Sequence, residues 1–421
     1  MLRQRISLMN SVFAKKINEG GAVGHLYHLY DNRELTFGEI KGILQSASEG
    51  KLESVSEKLD GMNLVVSWDV QSGDLRVARS AGDIGRGGMD AEAIAQKFRG
   101  RGNVGDAFNS AFEVLKMAIS IISDDDKLRI FGQQANIWYS AEVIYTANPN
   151  VINYDSDNIV FHGWPIFNVK DGKVQKSINS NGIETIQANI ERMQEAVTAK
   201  NWKIRGPAIL RMKSLSNGST LQNATSAIDS AMSEAGVGDG ETIGQYLENL
   251  MRDEVQKMDL DEQVEQMIVD RCLEKDNAPS LVQIKKIAPK ENYEAISNFV
   301  KSSPVLLKKF IVPIEDSIHL FAIEALRGIH STLISDSDSE VARLRSEVSK
   351  AIDAITSSGD EVAMEIIKRQ MQKLKSLDNI ASAMEGIVFI YNGNAYKFTA
   401  SFAPVNQILG LFKYGRGSTK L

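Results

Sequence analysis

The chain has 421 residues, 43% of them hydrophobic and 24% charged, with a net charge of −6. That suffices for one large domain or two ordinary ones, and it excludes a surface that attracts nucleic acid everywhere, so any such contact needs local basic patches. The single cysteine, Cys272, excludes an intramolecular disulfide framework and fits a reducing cytosol.

Five histidines and one cysteine give no zinc-spaced cluster. No run approaches the length of a membrane span. The first residues, MLRQRISLMNSVFAKK, are basic but lack a long apolar core and a small-residue cleavage site. They predict an exposed or docking helix over 4–18 rather than a signal peptide. A second helix is expected over 37–49. Between them, Gly20-Gly21 and the cluster His25, Tyr27, His28 and Tyr30 predict an ordered loop that packs on the core or touches a substrate.

Residues 51–100 read as paired strands. LVVSWDV and DLRVARS flank the turn Gln71-Ser72-Gly73, a hairpin signal. RSAGDIGRGGM follows, a glycine-rich loop whose amides are candidates to cradle phosphate, although its spacing fits neither nucleotide-loop fingerprint. KFRGRG brings Lys97, Arg99 and Arg101 beside Phe98 before a helix expected over 105–122. It is either a guide for a polynucleotide backbone or a solvated loop. Over 129–178, LRIFGQ, NIWYSAEVIY, NIVFHGWPIFNVKDG and KVQKS read as strands.

From 183 to 380 the periodicity becomes helical, as in IETIQANIERMQEAV, IGQYLENLMRDEVQKM, YEAISNFVKSSPVLLKKF and EVAMEIIKRQMQKLKSL. Its basic stretches include Lys285-Lys286, Lys308-Lys309 and Lys368-Arg369 with Lys373 and Lys375. They form either a solvated face or an acceptor-binding surface. Residues 381–421 return to two strands, GIVFIY and AYKFTAS, around Asn392-Gly393-Asn394. The domains expected are therefore 1–50 packed on a core, 51–182 as its first part, 183–380 as a helical insertion and 381–421 as its last part.

Four short segments stand out in order: Glu57-Lys58-Leu59-Asp60-Gly61-Met62-Asn63, then Glu142 in WYSAEVIY, Glu385 in MEGIVFIY and Lys397 in AYKFT. A lysine, two carboxylates and a late lysine in this order resemble the covalent nucleotidyltransferases: ATP-dependent RNA and DNA ligases and capping guanylyltransferases. The RNA-ligase branch is nearest, because its first motif reads E-K-x-x-G-x-N. GGAVGH, LTFGE, EKLDGMN and KFRGRG together also resemble a group of proteins of large tailed phages assigned as nucleotidyltransferases.

The resemblance implies an α+β fold: an antiparallel-rich, ATP-grasp-like ligase core with a large helical insertion. The residues after Lys397 are too few for the C-terminal OB-fold of DNA ligases. It implies ATP and Mg²⁺ as cofactors and a lysyl-AMP intermediate on Lys58. Asp60 would orient the lysine and the ribose or metal. Glu57, Gly61 and Asn63 would support the nucleotide loop, and Arg79 would touch ribose or phosphate. Phe167, with Phe161 as the alternative, would stack on the purine. Glu142 and Glu385 would bind magnesium, and Lys397 would contact the α-phosphate.

The expected activity is adenylyl transfer to a nucleic-acid end, RNA favoured over DNA, in the cytoplasm (the host's, if viral), with no membrane partner. A protein partner through the insertion is a further possibility. Two departures from the family pattern are Ala395 in place of the first late lysine and Ala141 before Glu142 in place of glycine. The alternatives are a virion or assembly protein that keeps the fold with reduced catalysis, and a capping-type guanylyltransferase.

Overall fold

The computed structural model describes residues 26–414 except 178, 208–209, 211, 216, 328, 330–332, 335–336 and 400. The helix expected over 4–18, the Gly20-Gly21 pair and His25 lie outside the described residues. The fold is mixed α+β with an open, non-barrel sheet. In chain order, helix α1 (Phe37–Ser48) precedes β1 (Ser56–Lys58), β2 (Met62–Asp69) and β3 (Asp74–Ala78). Then come α2 (Ala81–Gly85), α3 (Ala91–Lys97), α4 (Asn103–Ser120) and α5 (Asp124–Phe131). Strands β4 (Ile137–Ile144), β5 (Asp157–Lys170) and β6 (Lys173–Ser177), helix α6 (Ser180–Val197) and β7 (Trp202–Arg205) complete this part.

The larger sheet runs β3-β2-β4-β5-β6, all antiparallel, with β7 added parallel to β5. One face packs on α4, α5 and α6 through Leu64, Val66, Phe108, Phe112, Tyr139, Phe161 and Ile186. LRIF is helical where a strand is expected. Ser123 caps α5 by accepting the Asp126 amide, and three aspartates fill its first turn, where the helix dipole favours anions. Local capping thus overrides the apolar pattern.

The helical part begins later than expected. Helix α6 packs on the larger sheet and β7 joins it, so the boundary moves from 183 to beyond Arg205. Then follow α7 (Gly218–Glu234), α8 (Ile243–Gln256), α9 (Glu262–Cys272), α10 (Leu281–Ile287), α11 (Tyr293–Leu326), α12 (Ser337–Ser358) and α13 (Glu361–Leu374). Strands β8 (Gly386–Tyr391) and β9 (Asn394–Thr399) and helix α14 (Phe402–Tyr414) complete the described chain. Helix α11 runs unbroken through Pro304 and Pro313, so the helix expected at YEAISNFVKSSPVLLKKF continues to Leu326.

These helices are not a self-contained insertion. Ile228, Ile243, Ile268, Ile314 and Phe321 share one core with Phe37 and Ile40 of α1 and with Ile387, Phe389 and Phe398 of β8 and β9. Val348, Ile367 and Leu374 share another with Val405 of α14 and with Leu59, Ile152 and Tyr154. No helix among the described residues is long and apolar enough to cross a membrane.

The second sheet has the order β1-β8-β9. Asn392 and Gly393, both at positive φ, make the tight turn between β8 and β9. Gly386 sits opposite Lys58 on one side and Thr399 on the other. A Cβ there would lie 2.0 Å from the Phe398 carbonyl oxygen. Behind β9, His319 of α11 is bonded to the Thr399 backbone. Burial, reinforced by Lys373 and opposed by Glu315, pushes its imidazole down to about 4.

Two outcomes follow. Gly386→Ala is expected to cost about 3 kcal/mol by overpacking the centre of the small sheet, read from denaturant midpoints at unchanged slope. An unshifted midpoint contradicts the packing. His319 favours its neutral form when folded, so its contribution is complete above the unfolded value near 6.5 and is lost as pH falls towards 4. The loss should be on the order of 2–3 kcal/mol, and His319→Gln should flatten that part of the stability–pH curve. Parallel curves for the two proteins would exclude the imidazole as its source.

Candidate active site

A cleft of about 310 Å³ is walled by both sheets and by α14. Glu57, Lys58, Asp60, Gly61, Asn63, Arg79, Glu142 and Glu385 all line it. Eight positions expected from scattered segments therefore surround one space.

Lys58 ends β1, and its position opposite Gly386 puts it beside Glu385. Its ammonium donates to Glu385 Oε1, and both side chains are largely buried, 12% and 10% exposed. Glu142 stands opposite Asn63 across β4 and β2, so the two project from the same face. The Asn63 side-chain oxygen is buried with no hydrogen-bond partner. A buried acceptor without a donor is costly, so it fits a site completed by a donor from a ligand or a bound water.

Gly61 lies against Glu142. A Cβ there would come within 2.8 Å of Glu142 Cγ and of the Val143 carbonyl. The close approach of the two strands explains the glycine at this position. Arg79 donates to the Asn63 carbonyl, and its guanidinium lies 4.7 Å over the Phe108 ring. Burial pushes it below the usual arginine value, against the pull of Glu142 and Asp83. Its amide is held by Asp83, which also takes Lys97 at 2.8 Å. Burial alone would raise the Asp83 carboxyl. Lys97 and the Arg79 amide outweigh burial and bring it to about 2.

Two expectations need correction. Asp60 lines the cleft, but its carboxylate is committed elsewhere. Oδ2 accepts the Val151 and Ile152 amides, both at 2.8 Å, and Oδ1 accepts Asn150 Nδ2 at 2.5 Å. Its own amide donates to the Tyr154 hydroxyl at 2.9 Å. It is a latch between the 58–61 turn and the 150–154 loop rather than a group turned to ribose or metal. Burial raises its carboxyl, opposed by those donors and by Lys58.

Phe167 is 2% exposed and packs with Trp138, Val65 and Ala78 away from the cleft wall. Its alternative, Phe161, is also core. Lys397 is 5% exposed and stands opposite Val388, which lines the cleft, so the two project from the same face of the small sheet.

The glycine-rich stretch after Arg79 is no phosphate cradle. The Gly87, Gly88 and Met89 amides donate to the Ile84, Asp83 and Val77 carbonyls, so they are already used. The insertion's basic stretches are partly paired. Lys373 bonds Glu315, and Lys285 stands 5.7 Å over the Tyr293 ring.

Residues not anticipated are His162, Trp164, Pro165 and Asn406 on the cleft wall. His162 Nε2 lies 3.3 Å from Glu142 Oε2. Lys176 Nζ sits 5.0 Å over the Trp164 ring. The pairing of β4 with β5 slips between Tyr139 and Ala141, and 162–165 is the unpaired excess on β5. Such a bulge re-aims side chains. Gly163 and Pro165, both poor residues inside a strand, were its sequence signal.

Magnesium keeps several waters and needs only one or two carboxylates. Glu142, Glu385 and the Asn63 oxygen in one cleft fit that need. No group of three or more His, Cys, Asp or Glu side chains among the described residues is arranged to enclose an ion alone.

Comparison with protein-family models, curated proteins and solved structures gives no match. The geometry alone therefore generates the test. Asp60→Ala strips three donors of their acceptor and should cost about 2–4 kcal/mol, measured by urea unfolding. Tyr154→Phe, which removes one acceptor from an amide, should cost about 1 kcal/mol. Equal, negligible losses would show that the latch contributes nothing.

Proposed function

We propose that the cleft takes a nucleoside triphosphate, ATP first, and that Lys58 attacks its α-phosphorus to form a lysyl-nucleotide. The observation that carries this reading is the meeting of Lys58 and Glu385, 327 residues apart, in the space that also holds Asn63, Arg79 and Glu142. A buried lysine beside a carboxylate, with an arginine and a second carboxylate nearby, is suited to nucleophilic attack on an anionic centre.

In that step a nitrogen–phosphorus bond forms and the bond to pyrophosphate breaks. The proton of the amine leaves by way of Glu385 Oε1, to which it is already hydrogen-bonded. Arg79 offsets charge on the phosphates or orients the ribose. Magnesium, held by Glu142 and Glu385, would neutralise the triphosphate. His162 steadies the Glu142 carboxylate. Trp164 replaces Phe167 as the aromatic available to a base. The acceptor in this reading is a nucleic-acid end, RNA before DNA, as in the RNA-ligase branch.

A non-catalytic protein that keeps the fold is favoured by one observation: the carboxylate of Asp60 is spent on a loop. Labelling separates the readings. With α-³²P-ATP and magnesium, the wild-type chain should retain label on a denaturing gel, released by acid and stable to alkali, as a nitrogen–phosphorus bond requires. Lys58→Ala should abolish it, and Glu142→Gln should lower it by about 100-fold or more. Label with GTP alone would indicate the guanylyltransferase alternative. No label with either nucleotide would sink the enzyme reading.

A further inference from the structure

The loop that holds Asp60 is itself held from behind. Ile152 and Tyr154 share a core with Leu59 and with Leu344 and Val348 of α12, so the loop is packed between that helix and the 58–61 turn. Arg343 Nη2 of α12 donates to the Val151 carbonyl at 2.7 Å. Glu340 Oε1, one turn earlier, accepts the Asn153 amide at 2.8 Å. Arg343 Nε joins the two side chains by donating to Glu340 Oε2 at 2.7 Å, and Arg343 Nη1 lies 2.6 Å from Glu347 Oε2. On the opposite side, the Val151 amide donates to Asp60. Val151 is therefore gripped at both ends, its carbonyl by α12 and its amide by the residue two places after Lys58.

Ion pairs at this i, i+3 spacing add little to a helix when they stand in water. This one is turned inward. Glu340 is 7% exposed, and a buried carboxylate is costly unless its oxygens are bonded. Those oxygens go to Arg343 and to a loop 187 residues earlier in the chain. Arg345, two residues further along α12, makes its backbone bonds to the Ile380 and Asp378 carbonyls instead. The grip on the loop thus belongs to one pair of side chains and not to the helix in general.

We infer that Arg343 and Glu340 are positioning residues for Lys58, acting through the 151–153 loop and Asp60. As an account of catalysis this rests on the nucleotidyl-transfer reading. Attack on phosphorus tolerates little displacement of the attacking nitrogen, so a loosened turn slows the step. Arg79, which follows β3, and Glu142 of β4 are held by the larger sheet, so ATP should still bind. The helical region would then govern the rate of the step rather than the affinity for the nucleotide.

The test uses the full chain as wild type and as Arg343→Ala, Glu340→Ala, Glu340→Gln and Arg345→Ala, with two readouts. The first is the rate of label formation from α-³²P-ATP across a range of ATP concentrations. Arg343→Ala and Glu340→Ala should each lower the maximal rate by about tenfold or more, with half-saturation within about twofold of wild type. Glu340→Gln keeps an oxygen for the Asn153 amide and should recover most of the rate. Arg345→Ala should behave as wild type. The second readout needs no ATP. Lys58 is acetylated with acetic anhydride and quantified by peptide mass spectrometry against the exposed Lys257. The Lys58-to-Lys257 ratio should rise by about threefold or more in Arg343→Ala and Glu340→Ala but not in Arg345→Ala.

A role confined to stability would lower the unfolding midpoint and leave both the ratio and the maximal rate of the folded protein unchanged. An unchanged ratio overturns the inference whatever the label does. So does a loss of rate that Arg345→Ala matches. If the ratio rises as expected but even the wild type takes no label, the positioning of Lys58 stands and the nucleotidyl-transfer reading falls. Should Arg343→Ala misfold by circular dichroism, the contrast between Glu340→Ala and Glu340→Gln decides.

Discussion

Everything in the cleft depends on a three-residue strand finding its partner across almost the whole chain. β1 contributes only Ser56, Glu57 and Lys58, and these pair with Val388, Ile387 and Gly386. A strand this short does not hold itself in place; its ladder partner is β8. That register sets Lys58 beside Glu385. The small sheet is in turn fixed from behind, where Phe321 of α11 meets Phe398 edge-on with ring centres 6.1 Å apart. The helical region thus serves as the floor under Lys58 rather than as an appendage.

A second constraint joins the small sheet to the large one. The chain passes directly from β1 to β2 through Leu59, Asp60 and Gly61. Leu59 is buried in the core beneath α12 to α14, and Asp60 binds the 150–154 loop. Gly61 lets the turn lie against Glu142 of β4. Three consecutive residues thus set the spacing between Lys58 and Glu142, each by a different interaction: apolar burial, charge-assisted hydrogen bonding and the absence of a side chain.

Much of the strand architecture was legible. Alternation and turn chemistry gave the β2–β3 and β8–β9 hairpins, because Gly73, Asn392 and Gly393 occupy positions that demand positive φ. The residues of the cleft were singled out by their resemblance to the ordered motifs of the nucleotidyltransferases, and the structure brings Lys58, Asn63, Arg79, Glu142 and Glu385 to one space. What was not legible arose from long-range packing. Phe167 carries the right alternation but sits at the wrong end of the sheet face, and only the β5 bulge shows that 162–165 supplies the cleft wall. LRIF followed its Ser123 cap into a helix. The dual allegiance of the helices, to α1 and β9 on one side and to α14 on the other, leaves no mark in local sequence.

The separation of β1 from β8 has a bearing on the time order of folding. Closing a loop of 327 residues costs on the order of 5 kcal/mol of chain entropy, which no three-residue strand repays unaided. The larger sheet, contained within 62–205, can form as it emerges during synthesis, while Lys58 and its neighbours wait for a partner made much later. Until then β8 and β9 offer open edges, and the helices from 218 onward must gather first to shorten the gap. Lys58 is therefore among the last groups to be set, and a ribosome that stalls inside the helical region releases a chain whose large sheet is built but whose Lys58 has no carboxylate beside it.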